Sequence, residues 1–310
     1  EAVENASGNQ VVLKGNNIVW ISEGKAVSNG VAYVYTNTDF SSTSTYFDAG
    51  VAVDLLEIGQ DWVKVKIADT KGYIEKKRVN LVPEDMIKDY SYYYVQDGNL
   101  RHRIYNSLTE KAAGYTYGKA PSFMKEGVKY TSPNGNDFYN EDGKLVGGAF
   151  QYFNRMPLYT ETAYTAEQLN AYIEHASPDS PLIGTGEAFK KAEAEHGTNA
   201  LYLLAHAIHE SDWGTSRIAV DKNNLFGIGA YDTNPYENAW EYESYEEGIL
   251  EAASEFIVPG YFKDTWKGNG AHLGNKSSGM NIRYASDPYW GQKIAGHMYN
   301  MDKFLSETYD

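Results

Sequence analysis

The chain contains no cysteine, which excludes disulfide staples, thiolate-bound structural zinc and cysteine nucleophiles together. It also lacks any apolar run approaching the ~20 residues that a membrane-spanning helix needs. No charged-then-apolar leader opens it. Cationic residues are the minority, 27 Lys and Arg against 42 Asp and Glu, and leave a formal charge of -15. A surface of that sign repels phosphates, and no basic, aromatic-laced stripe offsets it, so no nucleic-acid partner is expected. The first residue is Glu1 rather than Met. The sequence therefore reads as a processed or excised fragment, and a missing leader says nothing against secretion.

Aromatic residues are abundant by contrast. The 27 Tyr and 6 Trp supply amphipathic rings that suit sugar faces as well as cores. At 310 residues the chain exceeds one ordinary domain and implies two or three. Its texture changes twice. From Val11 to Pro83 short alternating runs such as VAYVYTN and DWVKVKI are separated by turns expected at Glu23-Gly24, Asn29-Gly30 and Thr70-Lys71-Gly72, which predicts a small all-β module. From Asp89 to Met156 a second β-rich stretch follows, with hairpins expected about Asp97-Gly98 and Asp142-Gly143. Beyond Thr160 the pattern becomes helical. We place the boundaries at 1–84, 85–158 and 159–310.

Helix punctuation supports the third part. Thr165 with Gln168, and Ser244 with Glu247, read as capping boxes. Asp287 before Pro288 reads as an N-cap with a first-turn proline, opening a last helix whose inner stripe is Ile294, Met298, Met301 and Leu305. Between these lies LYLLAHAIHE, apolar on both faces and therefore buried. Glu210 ends it on the stripe of Leu203 and Ala207. A carboxyl there is partly desolvated, which disfavours its charged form and lets it hold a proton near neutral pH. The bland alternative is a helix-end carboxylate that meets solvent or pairs with Lys222.

His206, His209 and Glu210 form H-x-x-H-E, and His272 or His297 could be imagined as further zinc ligands. The spacing does not match the zincin helix, where the Glu lies between two His at i and i+4. No metal and no cofactor is expected; His206 reads as a core histidine bonded to backbone, and His209 as a neighbour of Glu210.

Three motifs carry a family resemblance: HESDWGTSRIA from His209, NNLFGIGAYDTNP from Asn223 and GMNIRYASDPYWGQKIA from Gly279. From Tyr164 to Leu305 the chain resembles glycoside hydrolase family 73, the lysozyme-like endo-β-N-acetylglucosaminidases of bacterial peptidoglycan. The stretch from Val31 to Pro83 is similar to a bacterial SH3-like wall-binding module, and the middle part to a small WW-like module. The resemblance implies a multidomain fold of SH3-like barrel, small β-rich module and mainly α, lysozyme-like (α+β) catalytic domain. It implies a secreted, wall-associated Gram-positive hydrolase that acts in daughter-cell separation or wall remodelling, with peptidoglycan glycan strands as its partner. The lack of an apolar run predicts no membrane insertion, and an acidic chain without a coiled-coil heptad reads as a monomer. The choline-binding repeats found in similar proteins are absent.

The same resemblance makes Glu210 the general acid and implicates Asp287 and Tyr284 of YASDP as its partners. Asn224, Phe226, Gly227, Tyr231, Trp240 and Tyr289 become the substrate-binding set. For Asn223 and Asn224, holding their own turn is the plainer role. For most of the aromatics at Trp213, Tyr231, Trp240, Tyr261, Trp266, Tyr289 and Trp290 the default is core packing, with Tyr231 and Trp240 standing out as sugar platforms. The second catalytic group stays open among Asp287, Asp232, Glu237, Glu241, Glu243 and the substrate's own acetamido group. Muramidase, lytic transglycosylase and a non-catalytic wall-binding or adhesion protein remain the alternatives.

Overall fold

The computed structural model describes residue 5 and residues 10–230 and 234–309. The backbone groups into two compact units that do not follow chain order: 1–115, 120–150 and 274–290 form the first, and 116–119, 151–273 and 291–310 the second.

The first unit is β-rich. Strands β1 (Val11–Lys14) and β2 (Asn17–Ile21) form a hairpin. The next seven are β3 (Gly24–Ser28), β4 (Ala32–Tyr35), β5 (Thr43–Phe47), β6 (Ala52–Ile58), β7 (Trp62–Ile67), β8 (Thr70–Glu75) and β9 (Val79–Pro83), and they form one sheet in the order β5-β4-β8-β7-β6-β3-β9. In β7 the period-two pattern turns Val63, Val65 and Ile67 inward and Lys64 and Lys66 outward. Val34, Phe47, Val63, Val65 and Ile74 are wholly buried in the core.

The β7–β8 turn falls at Ala68 and Asp69, earlier than the expected Thr70-Lys71-Gly72, with Ala68 at φ 51°. Gly72 had looked like a turn residue but sits inside β8, where any Cβ would collide with the Tyr35 carbonyl. Its small size serves close strand approach rather than a reversal.

Strands β10 (Tyr92–Gln96), β11 (Asn99–Asn106) and β12 (Lys111–Lys119) make a three-stranded sheet, and β13 (Asp137–Tyr139) pairs with β14 (Leu145–Gly148). The first hairpin reverses at Asp97 and Gly98, both left-handed at φ 52° and 72°, the geometry a two-residue Asp-Gly loop favours. Gly143 is left-handed in the second.

The second unit holds the helices α1 (Tyr152–Arg155), α2 (Ala166–Ala176), α3 (Gly186–His196), α4 (Ala200–Ser211), α5 (Arg217–Lys222), α6 (Pro235–Asn238), α7 (Tyr245–Glu251) and all but the first residue of α8 (Trp290–Tyr309). None is long and apolar enough to cross a membrane among the described residues. The Thr165–Gln168 capping box is complete. In α8, Ile294, Met298, Met301 and Leu305 are fully buried. The helix begins at Trp290, later than Pro288, because the Asp287 carboxylate accepts from the Tyr289 N–H at 2.8 Å and forms a turn ahead of it. The run after α7 is a π-helix, Ala252–Phe262, with Pro259 inside it. Proline lacks the N–H that α-helical bonding would use there.

Candidate active site

Helix α4 is buried from Ala200 to Ile208, with Tyr202 to Ala207 at 0% exposure. Its start is fixed twice. Asn199 accepts from the Tyr202 N–H at 3.0 Å as N-cap, and the buried Glu193 accepts from the Ala200 N–H at 2.9 Å. The other end breaks sharply. Asp212, Trp213 and Gly214 are all left-handed, at φ 49°, 60° and 81°, and Ser211 ties the break by donating to Ala207 O and accepting from the Gly214 N–H. Strain of this kind in a bulky residue such as Trp213 costs about 1–2 kcal/mol and collects at functional sites.

Glu210 lies on the last turn before that break, its side chain 27% exposed. One helical turn back, His206 Nε2 is 3.6 Å from its Oε1. The fully buried His206 ring is held by the Tyr202 hydroxyl at 3.1 Å from Nδ1, and lies edge-on to Phe226 with centroids 5.2 Å apart. A stack of i, i+4 and i+8 side chains thus runs through the core and ends at a half-buried carboxyl. Burial drives the Tyr202 hydroxyl far above its ordinary pKa, with Tyr261 and Glu210 adding, so Tyr202 stays neutral. His206 is a core histidine as expected, but the Tyr202 hydroxyl holds its ring where backbone was anticipated. Lys222 donates to Ala239 O at 2.8 Å, and is thus engaged away from the pairing with Glu210 considered above.

His297 faces His209, ring centroids 6.0 Å apart, and Trp213, 6.4 Å away. Burial, then the neighbouring His209, lowers its pKa from 6.5 to about 4. The unfolded chain therefore takes up this proton first as pH falls, and stability is lost between about pH 6.5 and 4, up to roughly 3 kcal/mol. His297→Gln should flatten that loss: its melting temperature, compared between pH 7 and pH 5, should fall less than that of the wild type. Equal falls would show that His297 titrates normally.

The loop after α5 is built from its asparagines. Asn224 is buried, donates to Ile228 O at 2.8 Å and Trp240 O at 2.9 Å, and accepts from the Ile228 N–H at 3.0 Å. Its amide bonds backbone on both sides and so holds its own turn, the plainer role given above. Asn223, left-handed at φ 53°, donates to Tyr242 O. Phe226 is 4% exposed and belongs to the core beside His206. Gly227 is left-handed with open space where a Cβ would stand, and a Cβ on Gly229 would strike Trp240. The Trp240 indole therefore sets its five-membered-ring edge against Gly229 and stays 47% exposed. Tyr231 and Asp232 lie outside the described residues. Glu237, Glu241 and Glu243 are exposed.

Tyr284, Asp287 and Tyr289 fall in the first unit. Tyr284 stacks on Trp290, centroids 4.4 Å apart. Tyr289 is packed edge-on to His102 at 4.7 Å, and burial raises its pKa to about 12. Its ring thus packs on His102 while part of its surface stays exposed. The segment that carries them is sewn to the strands. Thr45 Oγ1 donates to Ile282 O at 2.8 Å, Tyr46 OH to Arg283 O and Tyr284 O, the Asp48 N–H to Ser286 O, and Arg283 to Thr43 O. Thr70 Oγ1 donates to Lys276 O at 3.0 Å, and the Asp69 N–H to Ser277 Oγ at 2.7 Å.

Two features escaped the sequence reading. The His206 contact was legible as an i, i+4 pair, yet His206 was weighed as a core histidine or a metal ligand and not as a neighbour of Glu210. Trp266 is 75% exposed in a polar loop, the same setting that singled out Trp240. No group of three or more His, Cys, Asp or Glu is placed to hold a metal among the described residues.

Residues 186–303 match the glucosaminidase family described as mannosyl-glycoprotein endo-beta-N-acetylglucosaminidase. A Streptococcus pneumoniae serotype 4 protein, named provisionally as an endo-beta-N-acetylglucosaminidase, is 40% identical over 242 residues, covering 78% of this chain and 34% of its own length. A bifunctional autolysin of Staphylococcus aureus is 26% identical over 298 residues, covering 84% of this chain and 22% of its own length. The chain thus spans about a third or less of the relatives it matches. Among solved structures, S. aureus autolysin E, as a catalytic mutant with the disaccharide NAG-NAM, aligns over 54% of this chain and 83% of its own, with 23% identity and a TM-score of 0.42.

Proposed function

Because residues 186–303 belong to the glucosaminidase family, we propose that this chain is a peptidoglycan hydrolase, an endo-β-N-acetylglucosaminidase that cuts the β-1,4 bond on the reducing side of N-acetylglucosamine. The observation that carries this reading is Glu210, a half-exposed carboxyl ending a buried helix, seated on an imidazole held from behind. A glycosidic oxygen leaves poorly until protonated, and a positioned carboxylic acid is the usual donor. Glu210 gives its proton to that oxygen as the bond to C1 breaks. Water then adds at C1 and gives its proton to a carboxylate; in the alternative course the acetamido oxygen closes on C1 as the bond breaks, and water, losing its proton to the ionised Glu210, opens that ring. Asp287 and Tyr284 are the proposed partners of Glu210, as water activator and as stabiliser of the charged transition state.

The substrate-facing groups we propose are the Gly227 backbone, Trp240, Trp266 and Tyr231, with Asn224 and Phe226 acting by shaping the loop. Trp240→Ala and Trp266→Ala should each raise KM several-fold, up to about tenfold, with kcat nearly unchanged, since a lost stacking platform removes about 0.5–1.5 kcal/mol of binding. Steady-state kinetics on soluble glycan strands measures this; an unchanged KM in both variants refutes the platform role. The three parts 1–84, 85–158 and 159–310 are proposed as an SH3-like wall-binding module, a WW-like module and the catalytic region, in a monomer secreted to a Gram-positive wall.

The discriminating experiment is product analysis. Purified protein incubated with peptidoglycan should yield new reducing N-acetylglucosamine ends. Reducing muramic ends would make it a muramidase, anhydro ends a lytic transglycosylase, and no new ends a binding protein.

A further inference from the structure

Lys276 is a lysine with 1% of its surface exposed, and its surroundings are defined on every side. Its Nζ donates to Asn281 O at 2.8 Å and to Ala285 O. The ring of Tyr46 lies beneath it at 4.9 Å. Its own carbonyl accepts from Thr70 Oγ1 and the next residue accepts from the Asp69 N–H, which fixes its backbone to the β7–β8 turn and the start of β8. The two carbonyls it holds bracket residues 281–285, and Asn281 in turn donates to Asp287 O and Pro288 O at 3.1 Å. Burying an ammonium costs several kcal/mol, and lysines are almost never fully buried without partners that demand them. A Met or Leu here would fill the space without that cost. What it would not do is fasten two backbone carbonyls four residues apart. Burial lowers the pKa of Lys276 to about 7, partly offset by Asp287 and reinforced by Arg283, as expected for a cation kept where solvent cannot reach it.

We propose that Lys276 is a positioning residue for the reaction: it clamps the loop that presents Tyr284 and Asp287, setting their orientation without touching substrate. The proposal rests on the hydrolase reading above. It predicts a loss in kcat rather than in binding, since a misplacement of about 1 Å in a catalytic group costs up to ~100-fold.

The test compares wild type, Lys276→Met and Glu210→Gln, each as the whole chain, on soluble glycan strands. Lys276→Met should lower kcat roughly tenfold to a hundredfold with KM within about twofold. Its amide hydrogen exchange should quicken over residues 279–287 and not in α4. Full kcat in a folded Lys276→Met, with Glu210→Gln inactive, overturns the clamp while leaving the hydrolase reading intact. A wild type that releases no reducing ends, or a Glu210→Gln as active as wild type, overturns both. If Lys276→Met does not fold, Tyr46→Leu decides. It removes the ring under the ammonium and the hydroxyl on the Arg283 and Tyr284 carbonyls, and should lower kcat about threefold or more at constant KM; unchanged kcat there refutes the clamp.

Discussion

Glu210→Gln is expected to lower kcat on peptidoglycan by roughly 10²–10⁴-fold, the range general acid catalysis contributes, with the fold unchanged. The carboxamide has the same shape and keeps one oxygen to face His206, so the α4 stack from Tyr202 survives the change. It has no transferable proton at any working pH. KM should stay near its wild-type value, because the lost interaction exists only in the transition state. Release of reducing ends measures the first quantity and thermal unfolding the second. A folded variant with more than a tenth of wild-type kcat would transfer the acid role elsewhere. The companion His206→Phe separates support from chemistry: it keeps a ring against Phe226 but drops the nitrogen facing Glu210, and should move the pH profile of kcat rather than abolish turnover.

The second large effect concerns stability. Glu193 is 3% exposed in its side chain and engages three partners: the Thr162 N–H at 2.7 Å, the Ala200 N–H at 2.9 Å and the Lys190 ammonium. Glu193→Ala strands the buried Ala200 N–H and the part-buried Thr162 N–H, and leaves Lys190 without its counter-charge. Breaking a buried charged pair from one side costs about 3–5 kcal/mol. Lys190 keeps 28% exposure and rehydrates in part, so the lower end applies. That is a fall of roughly 10 °C in melting temperature for a unit of this size. Lys190→Met should cost far less, since Glu193 keeps both N–H donors. Below the melting point Glu193→Ala should retain wild-type kcat per folded molecule. Equal melting temperatures for Glu193→Ala and wild type would disprove the network's contribution.

Glu193 also shows where sequence reasoning stops. The α2 capping box, the two Asp/Gly hairpins, the all-round burial of α4 and the α8 stripe were legible because each is written within a few residues, in period or cap chemistry. Glu193 reads as one more charged residue in GEAFKKAEAEHG, since its partners at Thr162 and Ala200 lie outside that helix. The packing of Asn224 and Tyr289 was illegible for a related reason. A polar or aromatic residue in a sugar-enzyme motif looks poised for ligand, and only coordinates reveal that Asn224 has no amide hydrogen to spare and that Tyr289 is packed on His102. The stretch Ala252–Phe262 reads as a plain helix continuing α7, and nothing local announces its wider π winding apart from Pro259. Least legible was the attachment of residues 274–290 to the strands, which runs largely through backbone carbonyls that every residue type possesses.

That attachment bears on how such a protein can be inherited. Recombination between the strands and residues 274–290 would separate a stretch of the family-matching region from the strands that complete its hydrogen bonds. A hybrid with foreign strands would have to re-create the donors and acceptors that Thr43, Thr45, Asp48, Asp69 and Thr70 supply. The stretches 43–70 and 274–290 are therefore expected to travel and mutate together, as one hereditary unit rather than as exchangeable cassettes.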